Sequence, residues 1–193
     1  MSKIFLDKVF NKARSHYNWL DKKVDNKVLK ALYNLIKNCP TSANSEPMRI
    51  IFLKSIKEKK KIKPFLSPGN VDKTMTAPVV AIIAYDIKFY NHLPKLFPHN
   101  LGMKKVLSNP PKKAETTAFR NSTLQGGYFI LAARALGLDV GPMSGFNNAG
   151  VDKKFFPSGR FKSNFLCNLG YGDSSKLLKR LPRFKFSEVC KII

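Results

Sequence analysis

Six consecutive residues, Gly141-Pro142-Met143-Ser144-Gly145-Phe146, have the composition of a turn that holds a ligand by its main chain. The Gly-Pro pair restricts the backbone, and Gly145 lets N–H groups face a ligand with no side chain in the way. The same composition also makes an ordinary strand-to-helix turn. Upstream, Pro40-Thr41-Ser42-Ala43-Asn44-Ser45-Glu46-Pro47 crowds small hydroxyl and amide groups ahead of a strand expected over Met48–Lys54. Such a loop either caps the elements beside it or presents polar atoms to a ligand. Asn70 and Lys73 stand three apart on a short helix expected at 70–75, so they share a face. Arg14, His16 and Asn18 follow an N-terminal helix, and the Arg14 guanidinium suits a phosphate through paired hydrogen bonds. His16 shows no carboxylate partner in the sequence. Lys179, Arg180 and Arg183 make a second basic group near the end.

Other chemistries find no support. There is no Ser-His-Asp or Cys-His arrangement. Cys39, Cys167 and Cys190 are widely separated, with no CxxC, and read as unreactive. His92 and His99 have only Asp86 near ligand spacing, so no metal is expected. No GxGxxG follows a strand, so a dinucleotide would not be held in a doubly wound site.

The elements that must position these groups centre on residues 119–146. From Ala114 to about Leu136, Ala118, Phe119, Ser122, Gly126, Phe129, Ala133 and Leu136 recur at helical spacing, with both faces apolar or small. That pattern predicts a buried helix. Gly126 and Gly127 cost such a helix about 1 kcal/mol each against Ala, which suggests close approach of another backbone or a ligand. Gly137 reads as its stop, followed by an extended Leu138-Asp139-Val140. Residues 3–15 read as an amphipathic helix with Ile4, Phe5, Val9, Phe10 and Ala13 on one side. Asp25 should cap a helix over 26–38 that buries Val28, Leu29, Leu32, Leu35 and Ile36. The continuous apolar run Pro78–Tyr85 predicts a central strand covered on both faces. Residues 55–66 predict a basic helix whose run Lys57–Lys63 is a solvated face. Residues 100–113, NLGMKKVLSNPPKK, read as a mobile loop or lid. Asn147 or Asn148 should cap a short helix through Val151–Phe155, and residues 162–171 predict the last core strand.

At 193 residues, with 44% hydrophobic content, the chain reads as one domain with a sizeable core. Lys3, Asp7 and Lys8 argue against a signal peptide, and no apolar run is long enough to span a bilayer, so a cytoplasmic location is expected. The formal net charge is +23. Such a charge raises nucleic-acid binding as a rival function, but the lysines are spread along the chain and no nucleic-acid motif accompanies them.

The segments CPTSANSEP, GNVDKTMTAPV, FYNHLPKLFPH, RNSTLQGGYFILAARALGLDVGPMSGF and NLGYGDSSKLLKRLPR resemble the nitroreductase superfamily, in order, from about Ala13 to Cys190. More narrowly they resemble its branch of short FMN enzymes that reduce malonic semialdehyde. The resemblance implies an α+β fold, a mostly antiparallel sheet wrapped by helices, in an intertwined homodimer with FMN at the interface. It implies that Arg14, His16 and Arg180 lie at the flavin phosphate, and that Asn18, Asn70 and Lys73 lie along the polar edge of the ring. Thr41, Ser42 and Asn44 would cover the ring from the partner. Pro142, Met143, Ser144 and Gly145 would line the ring, with a main-chain N–H of the Ser144–Gly145 turn donating to flavin N5. The C-terminal tail would extend onto the partner's sheet. The family pattern has Gln where Glu46 stands, and many relatives have Glu where Ser144 stands, so only a main-chain role carries over to Ser144. The implied activity is hydride transfer from NADH or NADPH through the flavin to a small acceptor. Malonic semialdehyde is the acceptor the branch implies, with nitroaromatics, quinones or free flavin as alternatives. A flavin supplies its own redox chemistry, which accounts for the missing protein nucleophile.

Overall fold

The computed structural model describes residues 2–193. Four strands, β1 (Met48–Leu53), β2 (Val79–Asp86), β3 (Asp139–Met143) and β4 (Phe161–Gly170), form one antiparallel sheet in the order β1-β2-β4-β3. The helices in chain order are α1 (Lys3–Leu6), which runs into a π-helical turn at Asp7–Asn11, α2 (Asn26–Ile36), α3 (Ile56–Ile62), α4 (Val71–Thr76), α5 (Leu93–Leu96), α6 (Met103–Ser108), α7 (Pro111–Ala135), α8 (Asn148–Phe155) and α9 (Phe186–Val189). The fold is the expected α+β arrangement.

The β-branched run of β2 is buried along its whole length because helices cover both faces of the sheet. Val79, Ala81 and Ile83 pack with Cys167 and Leu169 against Leu32 and Ile36 of α2 and Phe129 and Ala133 of α7. Val80, Ile82 and Ala84 pack on the opposite face with Leu166, Met143, Ile62 of α3 and Val151 of α8. Each fully buried large side chain contributes about 1.5–3 kcal/mol of transfer free energy. A third cluster of Phe89, Leu93, Leu107, Ala114 and Ala118 seats α5 and α6 against the start of α7.

Local signals set several boundaries. Asp25 accepts from the Lys27 N–H and starts α2, and Asn147 accepts from the Gly150 N–H and starts α8. Gly137, at φ +85°, ends α7.

Other expectations are corrected. The α7 helix is not buried on both faces. Ala118, Ser122, Phe129 and Ala133 face the core, while Phe119, Leu124, Tyr128 and Leu136 remain 37–47% exposed. Leu35 of α2 is exposed, as are Ile4, Phe5 and Phe10 of the N-terminal helix, where only Val9 is buried. Within the basic segment Lys57–Lys63, Lys59 is 4% exposed and so is not part of a solvated face. Residues 100–113 hold α6 and the first turn of α7 in place of an irregular loop. Their two prolines act as helix starters, because Pro111 occupies the first helical position, where no N–H is needed. Gly141 and Pro142 lie inside β3, not in a turn after it. The sheet order makes β3 an edge strand, where a residue without an N–H is tolerated.

Candidate cofactor site

The predicted residues fall into two groups. The first gathers where β3, α4, the segment after α1 and the segment after β4 meet. Ser15 pairs with Val140 in a parallel bridge, and the His16 N–H donates to the Val140 carbonyl at 3.0 Å. His16 and its neighbours are thereby laid along the start of β3. The His16 ring is 4% exposed, with Nε2 3.4 Å from an Asp139 carboxylate oxygen. This supplies the acidic partner that the sequence did not reveal. Asp139 also accepts from the Gly172 N–H at 2.8 Å. Gly172 is required there, because a Cβ would overlap the His16 ring.

Across the same site, the carbonyl of Gly145 accepts from the Asn70 side-chain amide at 2.7 Å and from the Ser67 N–H at 3.0 Å. The α4 helix is fixed beside it. The Lys73 carbonyl accepts from Trp19 Nε1 at 2.9 Å and from Asn168 Nδ2 at 3.0 Å. The Lys73 ammonium lies 5.8 Å from the centroid of the Tyr17 ring. Pro142 and Ser144 are exposed, whereas the Met143 side chain points into the core and accepts a 3.5 Å hydrogen bond from Thr74. Met143 can therefore offer only its backbone to a ligand. Asn18 is exposed, and its carbonyl accepts from the Asp173 N–H. Arg14 and Arg180 cross between the two ends of the chain. Arg14 donates to the Leu178 carbonyl, and Arg180 donates to the carbonyls of Asn11 and Ala13.

The second group is the loop after α2. Thr41 Oγ1 accepts from the Glu46 N–H at 3.2 Å, the Ser42 N–H donates to Asn121 of α7 at 2.8 Å, and Asn44 Nδ2 donates to the Leu96 carbonyl of α5 at 2.9 Å. Ala43, Asn44 and Glu46 hold φ of 51°, 47° and 39°. Left-handed backbone at non-glycine residues costs about 1–3 kcal/mol each and is characteristic of functional loops. Among the described residues no hydrogen bond joins this loop to the first group.

The loop is braced from β2. Asp86, fully buried, is paired by Arg49 at 3.0 Å and by Arg160 at 2.8 and 2.7 Å, with His92 Nε2 3.5 Å away. Burial opposes ionisation of Asp86, but hydrogen bonds from Arg160 and the Lys88 N–H, and the two arginine charges, hold its carboxyl below the usual range. Arg49 also donates to the Glu46 carbonyl at 2.9 Å. Burial pushes the Cys167 thiol up to about 12 and raises that of Cys39, so neither is a thiolate at neutral pH.

Several residues of the site escaped the sequence reading. Asp139 and Gly172 meet His16 only through the sheet. Trp19 and Asn168 were given no role, although Trp19 is the one tryptophan in the chain and Asn168 opens the segment NLGYGDSSKLLKRLPR. Buried His16 Nδ1 and Asn168 Oδ1 have no hydrogen-bond partner among the described residues.

An α+β protein built on this sheet, with polar groups from four chain segments gathered at its β3 edge, defines the class. The chain matches the nitroreductase family model over residues 11–171. It is 52% identical over 189 residues to a Cupriavidus pinatubonensis protein that carries the provisional name NADH dehydrogenase/NAD(P)H nitroreductase, covering 97% of this chain and 96% of the relative. A Ralstonia pickettii protein with the same provisional name is 51% identical over 191 residues, covering 98% and 97%. The chain belongs to the nitroreductase family. A nitroreductase-type crystal structure from Exiguobacterium sibiricum, in complex with FMN, aligns with TM-score 0.87 at 18% identity, covering 100% of this chain and 99% of the other. One from Bacillus subtilis gives TM-score 0.87 at 17% identity, covering both chains fully. At those identities the structures establish the shared fold.

Proposed function

We propose that this chain is an FMN-dependent NAD(P)H oxidoreductase, working as a homodimer, whose acceptor is malonic semialdehyde, reduced to 3-hydroxypropionate. The observation that carries the reading is the bond between Asn70 and the Gly145 carbonyl, far apart in sequence, with Lys73 three residues on facing the Tyr17 ring, while Arg180 is tied to Asn11 and Ala13 in the segment that leads to Arg14 and His16. When bound, FMN supplies hydride transfer between a nicotinamide and the acceptor.

The residues present fit FMN. Arg14 and Arg180 supply two cations for a phosphate dianion. The Gly145 N–H has no protein acceptor among the described residues, so it is free to donate to a ligand atom. Asn70 holds that turn in place, and Gly145 leaves the close approach open, since a Cβ would meet Asn70 Nδ2 at 2.5 Å. The Lys73 ammonium favours negative charge at the polar edge of the ring. His16 is turned into the wall, where it packs on Gly172 and Asp139. Asn18 stays at the surface of the same wall. Thr41, Ser42 and Asn44 sit on a braced loop with no hydrogen bond to this group, as suits a contribution to the second copy's site.

The homodimer has its own support. Gly127 of α7 has open space where a Cβ would be, next to exposed Leu124 and Tyr128. The tail exposes Leu178, Leu181, Phe184 and Phe186. A groove of 880 Å³ between α2 and the free edge of β1, lined by Leu29, Tyr33, Met48, Ile50 and Phe52, would receive the partner's tail.

The acceptor reading rests on the sequence resemblance and on a +23 charge that attracts a small carboxylate. Steady-state turnover with a panel of aldehydes, nitroaromatics, quinones and free flavin tests it. Malonic semialdehyde should give the highest kcat/KM. A quinone, a nitroaromatic or free flavin ahead of every aldehyde would replace the acceptor and leave the oxidoreductase class standing. Location in the cytoplasm is part of the same proposal; among the described residues no helix is long and apolar enough to cross a membrane.

A further inference from the structure

The buried lysine of the basic segment is the starting point. Lys59 Nζ donates to the carbonyls of Met75 and Ala77, both at 2.7 Å. These carbonyls close the C-terminal end of α4, where helix carbonyls lack intrahelical partners and a cation is favoured by the dipole. Among the described residues Lys59 forms no ion pair, and burial lowers its pKa. An uncharged side chain could satisfy carbonyls at a smaller desolvation cost. An ammonium makes both bonds charge-assisted, hence shorter and stiffer.

The stiffness has a purpose in α4. The helix is six residues long, too short to be stable by itself. It carries Lys73, whose own carbonyl is held by Trp19 and Asn168. Three side chains from three other elements thus clamp one short helix at residues 73, 75 and 77. We propose that Lys59 is a positioning residue: by locking the end of α4 it fixes the Lys73 ammonium at the flavin edge and so helps to set the flavin's reduction potential. The inference rests on the placement of Lys73 beside FMN under the proposed function.

The experiment is a potentiometric titration of the FMN-loaded protein as wild type, Lys73→Met, Lys59→Met, Lys59→Arg and the double Met variant. Lys73→Met should shift the two-electron equilibrium against reduced flavin by about tenfold, about 30 mV. Lys59→Met should show at least a third of that shift, Lys59→Arg should stay near wild type, and the double variant should match Lys73→Met alone. A wild-type potential in Lys59→Met, or shifts that simply add in the double variant, would overturn the inference while leaving the flavin reading intact. An unchanged potential in Lys73→Met would remove Lys73 from the flavin edge, and the inference with it. If Lys59→Met does not fold, Lys59→Gln is judged by the same criteria.

Discussion

The Asn70 side-chain amide donates to the Gly145 carbonyl at 2.7 Å, and a methyl group added at Gly145 would come within 2.5 Å of that same nitrogen. The two residues are therefore matched: the amide needs the glycine, and the turn needs the amide. Asn70→Ala leaves the Gly145 carbonyl with one donor, and Gly145→Ala pushes the amide away. Losing such a bond costs about 1–1.5 kcal/mol, so each variant should bind FMN about tenfold more weakly. Quenching of FMN fluorescence measures the affinity. Wild-type affinity in Gly145→Ala would show that the close contact is not what the glycine is for.

The two arginines that cross between the chain ends should act on the phosphate. Arg14→Ala and Arg180→Ala should each weaken FMN binding about tenfold or more, and should do so much less for riboflavin, which lacks the phosphate. Equal losses for both ligands would mean that the arginines only tie the two ends of the chain together, through Leu178, Asn11 and Ala13.

Adjacent glycines of α7 should behave oppositely. A Cβ at Gly126 would meet the Phe165 ring at 2.5 Å, so Gly126→Ala should destabilise by about 1–3 kcal/mol in urea melts. Gly127 has open space within the protomer. Gly127→Ala should not clash there and should gain up to about 1 kcal/mol of helix propensity. Gly127→Leu should favour the monomer in sedimentation if the helices of two copies meet at this face. A Gly127→Leu protein that remains fully dimeric would place the interface elsewhere.

Asp86 should govern the acid limb of stability. Its folded-state pKa lies below the unfolded value of about 3.9. The stability it adds is therefore complete above about pH 4 and is lost as pH falls through the folded value. Its arginine partners are one-third exposed, so Asp86→Asn should cost about 2–3 kcal/mol at pH 7 after allowing for screening. That gap should narrow below pH 4. A gap independent of pH would show that Asp86 acts through packing and not through its charge.

What the sequence disclosed follows from how local each signal is. The strand Val79–Asp86 was legible because an unbroken β-branched run has few alternatives. The caps at Asp25 and Asn147 are set by their nearest neighbours. The exposed faces of α1, α2 and α7 were not legible, since an apolar stripe looks alike whether it meets its own core or another molecule. Lys59 was hidden by its lysine neighbours, because composition does not say which member of a run turns inward. Pro142 and the Pro110-Pro111 pair read as breaks, yet an edge strand and a helix start are the two places where a missing N–H does no harm. At the candidate site, Arg14, Asn70, Lys73 and Gly145 were named from residue type and spacing together with the family resemblance. Asp139, Trp19 and Asn168 act only by contacts that the fold creates.

The visible spectrum of the purified protein, recorded anaerobically before and after FMN and then NADH or NADPH are added, tests the central claim most directly. The account predicts a bound flavin band that bleaches on addition of at least one of the two nicotinamides. A colourless protein that does not take up FMN, or a bound flavin that neither nicotinamide reduces, would contradict it.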